Sequence, residues 1–236
     1  HTGIQAHLSI HPADKNHGIV FRRTDIEGKP LIKAEANLVV QTQRCTVLGK
    51  KDVTISTVEH IMAALKGTGV SNALIDIDAD EIPILDGSSL PFVEAILAVG
   101  TVEQDAEQNY LEIPAPFVWK DEETEAEYSI FPSEKFQLTT LIDFDSSVIG
   151  KQFANLEDLA DFNTEIAPNR TFAFLHEIEA MADAGLIKGG ALNNALVFVN
   201  EIPENSQLDQ LAAKLNISTP VKVEKEGILN TTELRF

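Results

Sequence analysis

Cysteine, tryptophan and positive charge are scarce in this chain of 236 residues. Its single cysteine, Cys45, excludes an internal disulfide and a cysteine-rich metal cluster, which suits a reducing compartment. No apolar run reaches the roughly 20 residues that a membrane-spanning helix needs, and no signal-peptide pattern opens the chain. We therefore expect a cytoplasmic globular protein, monomeric and without stable membrane insertion.

Basic residues are outnumbered by acidic ones, 18 against 37, which gives a formal net charge of -19. Nucleic acid and anionic membranes would be repelled by such a surface, so we exclude them as partners. An anionic substrate would need a local basic pocket. The hydrophobic fraction of 44% can fill one large core or two small ones.

Strand patterns occur in both halves of the chain, separated by a polar stretch. Short apolar or alternating runs at 6–11, 18–25 and 72–78 are typical of strands, and similar runs resume at 114–120, 126–131 and 136–144. The polar residues 101–110 between them predict a domain boundary, with a first domain at 1–105 and a second at 106–236. The acidic segment 120–127 is interpreted as a solvated hairpin tip and not as a cation-binding patch.

Three segments have helical periodicity. In the first, apolar residues recur at helical spacing until Gly67 and Gly69 end the helix: Val58, Ile61, Met62 and Leu65. The second follows an Asp86-Gly87 turn, with Ser88 or Ser89 as N-cap and an apolar stripe of Val93, Ile96 and Leu97. The third lies within 171–185 and ends at Gly185, with a stripe of Phe174, Leu175, Ile178 and Met181.

Two segments about half the chain apart are similar to each other. Residues 71–83 and 193–203 share Asn-Ala-Leu, an alternating apolar strand and Glu-Ile-Pro, and each follows a helix and a glycine-containing turn. We interpret this as a duplication. It predicts an α+β fold of two similar domains, each a mostly antiparallel sheet with helices on one face.

Glu59 and His60 lie side by side at the start of the first helix. In one interpretation Ser56 caps the helix and Glu59 completes a capping box. In the other, both side chains project away from the apolar stripe, and the pair suits a hydrolytic zinc site: an imidazole ligand with a carboxylate that takes a proton from water. The stronger H-E-x-x-H motif is absent, so the residues alone leave both interpretations open.

The remaining candidates for chemistry are weaker. His7 and His11 would lie about 13 Å apart along one strand, at about 3.3 Å per residue, too far to share one ion. His17 is predicted in a turn and His176 at an exposed helical position, while Cys45, in a strand-like stretch, is interpreted as a small packed residue.

Several strings together closely resemble the bacterial UDP-3-O-acyl-N-acetylglucosamine deacetylase family, the zinc amidases of lipid A biosynthesis in Gram-negative bacteria. They are "STVEH", "DGS" followed by "PFV", "NRTFAF" and "GLIKGGALNNALVF", in the same order as in the family. The resemblance extends over nearly the whole chain. It implies two α+β domains whose helices are sandwiched between two outer sheets, and hydrolysis of the acetamide of an acylated UDP-N-acetylglucosamine to acetate and a free amine.

The resemblance also implies roles for individual residues. Glu59 would be the general base, His60 a ligand of Zn²⁺, and Thr171 a donor to the tetrahedral oxyanion, with a helix N-cap as its alternative role. Phe172 matches an aromatic residue of the sugar pocket. Four residues match the acyl-chain passage and could equally be core: Ile178, Ile187, Gly190 and Ala191. Lys188 is expected to bind substrate. Together with Arg22, Arg23 and Arg170, it could also replace the family lysine that contacts the diphosphate, which this chain lacks. Asp86 and Ser88 are kept as a turn and a cap.

One part of the family pattern is missing. The family takes two further zinc ligands from a His-x-x-x-Asp helix downstream of the segment that resembles "ILNTTELRF", followed by a general-acid histidine, and this chain contains none of them. It also begins with His1 and not with Met. We therefore expect a fragment truncated at both ends and inactive alone. The alternatives are a non-catalytic module that binds acyl or nucleotide-sugar groups, and the N-terminal part of a bifunctional deacetylase and hydroxyacyl-carrier-protein dehydratase.

Overall fold

The computed structural model describes residues 2–50, 52–183, 193–201, 203–214, 221–223 and 227–229. Helices are combined with several small, mainly antiparallel sheets, so the expected α+β class is confirmed. Within those residues, no helix has the length and apolar character needed to cross a bilayer.

The first half of the chain forms a four-stranded sheet, a three-stranded sheet and two helices in its described residues. The elements are β1 (Leu8–Pro12), β2 (Ile19–Arg23), β3 (Leu31–Lys33), β4 (Val39–Gln41), β5 (Val47–Lys50), β6 (Val53–Ile55), α1 (Glu59–Gly67), β7 (Ala73–Ile77) and α2 (Leu90–Val99). The larger sheet has the order β1-β7-β2-β3, in which only β7 and β2 are parallel. The smaller sheet, β4-β5-β6, is antiparallel.

The second half is built from two-stranded sheets and short helices. Its elements are β8 (Phe117–Lys120), β9 (Glu127–Ile130), β10 (Leu138–Asp143), β11 (Lys151–Leu156), α3 (Phe162–Glu165), β12 (Phe172–Phe174), α4 (Leu175–Asp183), β13 (Leu196–Phe198) and α5 (Asn205–Lys214). The pairs β8-β9 and β10-β11 are antiparallel, and β12-β13 is parallel. The acidic segment 120–127 connects β8 to β9, which confirms the predicted hairpin tip.

The main hydrophobic core joins the four-stranded sheet to α1 and α2. The predicted stripe of α1 is confirmed, since Val58, Ile61 and Leu65 are buried in this core and Met62 packs against it. The stripe of α2 is partly wrong: Leu97 is 55% exposed, whereas Phe92 is 5% exposed. Helix rotation explains the difference, because positions 92, 93 and 96 share one face and position 97 lies one further step around the axis.

The repeated segments adopt the same pairing in both halves. Strand β7 in the first copy lies parallel to β2, and β13 in the second copy lies parallel to β12. In each case a helix lies between the two paired strands in sequence, α1 in the first and α4 in the second. This common arrangement agrees with a duplication, and the division into domains at 1–105 and 106–236 stays a prediction.

A tight contact joins α1 to the second half. A Cβ atom at Gly67 would lie 1.9 Å from Cδ1 of Phe162, whose side chain is buried in the main core. Leu156 and Ala167 belong to the same core. Residues of the predicted second domain therefore pack directly on the first.

We expect Gly67→Ala to destabilise the protein, although alanine normally favours a helix by about 1 kcal/mol over glycine. The added methyl overlaps a buried ring, and overpacking of this kind costs about 1–3 kcal/mol. Urea unfolding of the single variant and of Gly67→Ala combined with Phe162→Leu checks this. The smaller side chain should recover part of the loss, and an unchanged or raised midpoint in Gly67→Ala alone would contradict the contact.

Candidate active site

The helix α1 begins later than the capping-box interpretation predicts. Its first residue is Glu59 and its N-cap is Val58, with no capping hydrogen bond from a side chain. Ser56 instead pairs with Glu81 in a β-bridge, and its hydroxyl donates to the carbonyl of Asp80. The capping box is therefore wrong. The reason is Thr57, whose φ of 60° interrupts the helical path between Ser56 and Glu59.

Thr57 is strained and buried. A left-handed backbone is an outlier for a β-branched residue and costs about 1–3 kcal/mol, and such residues concentrate at functional sites. Thr57 is only 3% exposed, and its hydroxyl donates to Glu81. Arg44, in the loop before β5, and Leu85, next to Asp86 in sequence, also have positive φ, of 60° and 53°.

The carboxylate of Glu59 is held by the loop between β4 and β5. Its Oε2 accepts a hydrogen bond from the backbone N–H of Thr46 at 3.0 Å, and the side chain is half-buried. Cys45 lies in a bend of the same loop and not in a strand. Burial raises the pKa of its thiol, and the charge of Glu59 acts in the same direction.

The surroundings of His60 favour the neutral form of its imidazole. Burial lowers the pKa of its imidazole below the usual value, although the negative charges of Glu59 and Asp86 act in the opposite direction. The imidazole is half-buried and lies outside the apolar face of α1. A neutral imidazole has a free nitrogen lone pair, which is the form that binds a metal ion.

Asp86 belongs to the turn that precedes α2. Its Oδ1 accepts hydrogen bonds from the N–H and the hydroxyl of Ser88, at 2.9 and 2.8 Å, and the Ser88 hydroxyl accepts one from the N–H of Leu90. The predicted turn is confirmed, but the cap is confirmed only in position: the N-cap of α2 is Ser89, whose side chain makes no capping hydrogen bond, and Ser88 precedes it. The sequence pattern does not predict that the Asp86 charge also reaches His60.

Thr171 docks on the same turn. Its N–H donates to the carbonyl of Gly87 at 2.7 Å, and a Cβ on Gly87 would lie 2.2 Å from the carbonyl oxygen of Asn194. Among the described residues the Thr171 hydroxyl, which is exposed, has no hydrogen-bond partner. Strand β12 follows it directly, so the alternative role as a helix N-cap is wrong. The turn at Asp86 and Gly87 thus brings Glu59, His60 and Thr171 into one region.

The arginines considered for an anionic substrate are engaged elsewhere. Arg22 makes two hydrogen bonds to Asp76, and Arg23 makes two to Asp25. Arg170 remains close to the candidate site. Its Nε donates to the carbonyl of Asp86 at 2.7 Å, and its Nη2 is buried without a partner among the described residues.

The predicted substrate residues have different surroundings. Phe172 is half-buried in an aromatic cluster with Phe144, Phe174 and Phe198, at centroid distances of 5.4 to 6.1 Å. Ile178 is 8% exposed and packs in a core with Leu175, Val197, Val199, Leu208 and Leu211. Ile187, Lys188, Gly190 and Ala191 lie outside the described residues.

Four other histidines, all within the described residues, have different surroundings. His7, just before β1, pairs with Asp78, just after β7, and His11 on β1 pairs with Asp76 on β7. His17 is in the predicted turn. His176 is exposed on α4, as predicted, and its ring stacks on Phe174.

The donor atoms of the site suit one ligand position of a zinc centre. His60 offers an imidazole whose neutral form is favoured by burial, and Glu59 offers a carboxylate beside it. Over the described ranges, no group of three His, Cys, Asp or Glu side chains is arranged to hold a metal ion. Zinc hydrolases usually provide three protein ligands, so His60 alone would not complete such a set within the described residues.

Comparison with known proteins decides the family. Residues 1–214 match the family model described as LpxC: UDP-3-O-acyl N-acetylglycosamine deacetylase. The chain belongs to this family. The UDP-3-O-acyl-N-acetylglucosamine deacetylase of Phenylobacterium zucineum is 39% identical over 97% of the chain and 83% of its own length.

Relatives of a second kind are also similar. The "Bifunctional enzyme LpxC/FabZ" of Bacteroides thetaiotaomicron is 43% identical over 92% of the chain, and that of Porphyromonas gingivalis is 42% identical over 100%. The chain spans 47% and 51% of these two proteins, about half of their length.

Proposed function

We propose that the protein acts in zinc-dependent deacetylation of UDP-3-O-acyl-N-acetylglucosamine, a step of lipid A biosynthesis. Family membership carries this proposal, and the Glu59-His60 pair at the start of α1 supports it. The proposed location is the cytoplasm, in keeping with the single cysteine.

In the proposed reaction Glu59 is the general base. Its carboxylate takes a proton from a water molecule as the water oxygen bonds to the acetamide carbon. The C–N bond then breaks as this proton passes to the nitrogen, and the second water proton follows, which leaves acetate and the protonated amine. The hydrogen bond from Thr46 holds this carboxylate in place. The exposed hydroxyl of Thr171 is available to donate to the oxyanion that develops on the acetamide oxygen.

His60 is the proposed zinc ligand within this chain. Zinc bound there would make water more acidic and would polarise the acetamide carbonyl. Further ligands are expected from the His-x-x-x-Asp helix of the family. We therefore also propose that these 236 residues have little activity alone.

A second candidate is the deacetylase part of a bifunctional enzyme. The similarity to two proteins named LpxC/FabZ, each matched over about half of its length, favours this candidate. It contains the same deacetylase site, so the two candidates differ only in what else the natural protein does.

Acetate release from UDP-3-O-acyl-N-acetylglucosamine tests the proposal. We expect release by a polypeptide that also carries the expected ligands, its loss after chelation and its return with zinc. The 236-residue chain should show much less. A longer polypeptide that binds zinc and substrate but releases no acetate would contradict the proposed activity and favour the non-catalytic module.

A further inference from the structure

The buried carboxylate of Glu81 joins separate segments of the chain near the start of α1. Glu81 is 8% exposed. Its Oε1 accepts the hydroxyl of Thr57 at 3.1 Å, and its Oε2 accepts the N–H and the hydroxyl of Thr2, each at 2.7 Å. Because a buried carboxylate binds such donors strongly, it fixes the two threonine segments relative to each other.

The backbone fixes the same junction from the other side. The N–H of Ser56 donates to Asp80 at 2.9 Å, and the N–H of Ile82 donates to Ser56 at 3.0 Å. Thr57 then takes its left-handed conformation, and α1 begins two residues later at Glu59. The direction in which the helix leaves the sheet therefore depends on how Thr57 is held.

We propose that Glu81 is a positioning residue, which through Thr57 sets the start of α1 and so the placement of Glu59 and His60. This inference rests on the proposed function for its effect on catalysis, but its effect on the helix start does not depend on activity. Neither Glu81 nor Thr57 reaches the reacting atoms in this scheme. Glu81 fixes the backbone at Thr57, and this backbone determines where Glu59 and His60 lie.

The expected kinetic effect follows from the geometry. A small displacement of a catalytic group lowers the rate strongly, whereas groups that bind the substrate elsewhere keep their contacts. A loss of kcat per folded molecule, with little change in KM, is thus the mark of positioning. A general loss of folded protein would instead lower the concentration of active enzyme. The start of α1 would be unchanged in the molecules that remain folded.

Glu81→Gln and Asp80→Asn form a matched pair for the test. Both remove one negative charge from neighbouring positions, but Asp80 is exposed. In the zinc-loaded full polypeptide we expect Glu81→Gln to lower kcat at least tenfold with KM within about twofold, since glutamine cannot accept from both threonines. Asp80→Asn should match the unmodified protein. Equal kcat in the two variants, or a rise in KM alone, would overturn the proposal.

Hydrogen exchange measures the helix start without any catalysis. We expect the amides of residues 57–61 to exchange at least tenfold faster in Glu81→Gln than in Asp80→Asn, while the amides of β2 and β7 keep their protection. Uniformly faster exchange across the chain would show a purely structural role and overturn the proposal.

A second pair covers the case in which Glu81→Gln fails to fold. Thr57→Val keeps the side-chain shape without the donor, and Thr57→Ser keeps the donor. We expect Thr57→Val to reproduce the kcat loss and Thr57→Ser to retain at least half of kcat. Acetate release by the unmodified full polypeptide separates the two hypotheses. If it releases none, the proposed function fails, and hydrogen exchange still tests Glu81; if it releases acetate while Glu81→Gln and Thr57→Val are fully active, only the positioning role fails.

Discussion

Replacing Glu59 by glutamine is expected to lower the kcat of deacetylation by about 10²- to 10⁴-fold, the usual contribution of a general base. Glutamine has nearly the same shape and keeps an oxygen that can accept the N–H of Thr46. It cannot take a proton from water at neutral pH. The loss should therefore fall on the chemical step, with little change in the thermal midpoint.

Glu94→Gln provides the control for the change of charge. Glu94 is exposed on the neighbouring helix α2, so its replacement should leave kcat and KM unchanged. Steady-state acetate release, together with zinc content, distinguishes the cases. A Glu59→Gln protein that binds zinc and loses less than tenfold in kcat would show that another group takes the proton.

Gly87→Ala is expected to destabilise the protein by about 3 kcal/mol. Two effects add. Gly87 has a φ of 87°, which disfavours any side chain, and the new Cβ would lie 2.2 Å from the backbone oxygen of Asn194. Backbone cannot rotate away as a side chain can, so the turn and the backbone at Asn194 must separate. For a chain of this size the thermal midpoint should fall by about 10 °C.

Gly69→Ala is the matched control for this glycine. Gly69 has a similar φ of 75°, but nothing lies within 4 Å of the position of its Cβ. Only the backbone strain remains, so we expect a loss of about 1 kcal/mol and a shift of about 3 °C. Thermal unfolding of both variants provides the comparison. Equal shifts would mean that the contact with Asn194 does not constrain the turn.

Local patterns in the sequence predict elements well where one face of an element is buried. The stripe of α1 is confirmed because Val58, Ile61 and Leu65 repeat with the helix period and meet the sheet. The same rule failed for Leu97, since a ten-residue helix with apolar side chains on several faces does not define its own rotation. In the structure Phe92, and not Leu97, is buried in the core.

Local rules also failed at the start of α1, next to the candidate site. Ser56 and Glu59 have the right spacing for a capping box, but Ser56 forms an isolated β-bridge with Glu81. Thr57 has a left-handed backbone conformation, and its hydrogen bond to the distant Glu81 stabilises that conformation. A failure of local rules at one point of an otherwise consistent chain is typical of functional sites.

The amino-acid sequence by itself determined the class of the fold, the buried stripe of α1 and the identity of the Glu59-His60 pair, because periodicity and residue type are local properties. Only the tertiary structure decided where that helix begins and that the turn at Asp86 and Gly87 lies beside both His60 and Thr171. It also decided that the buried Glu81 holds Thr57. These arrangements depend on hydrogen bonds between residues that are 24 to 84 positions apart, which no local pattern encodes.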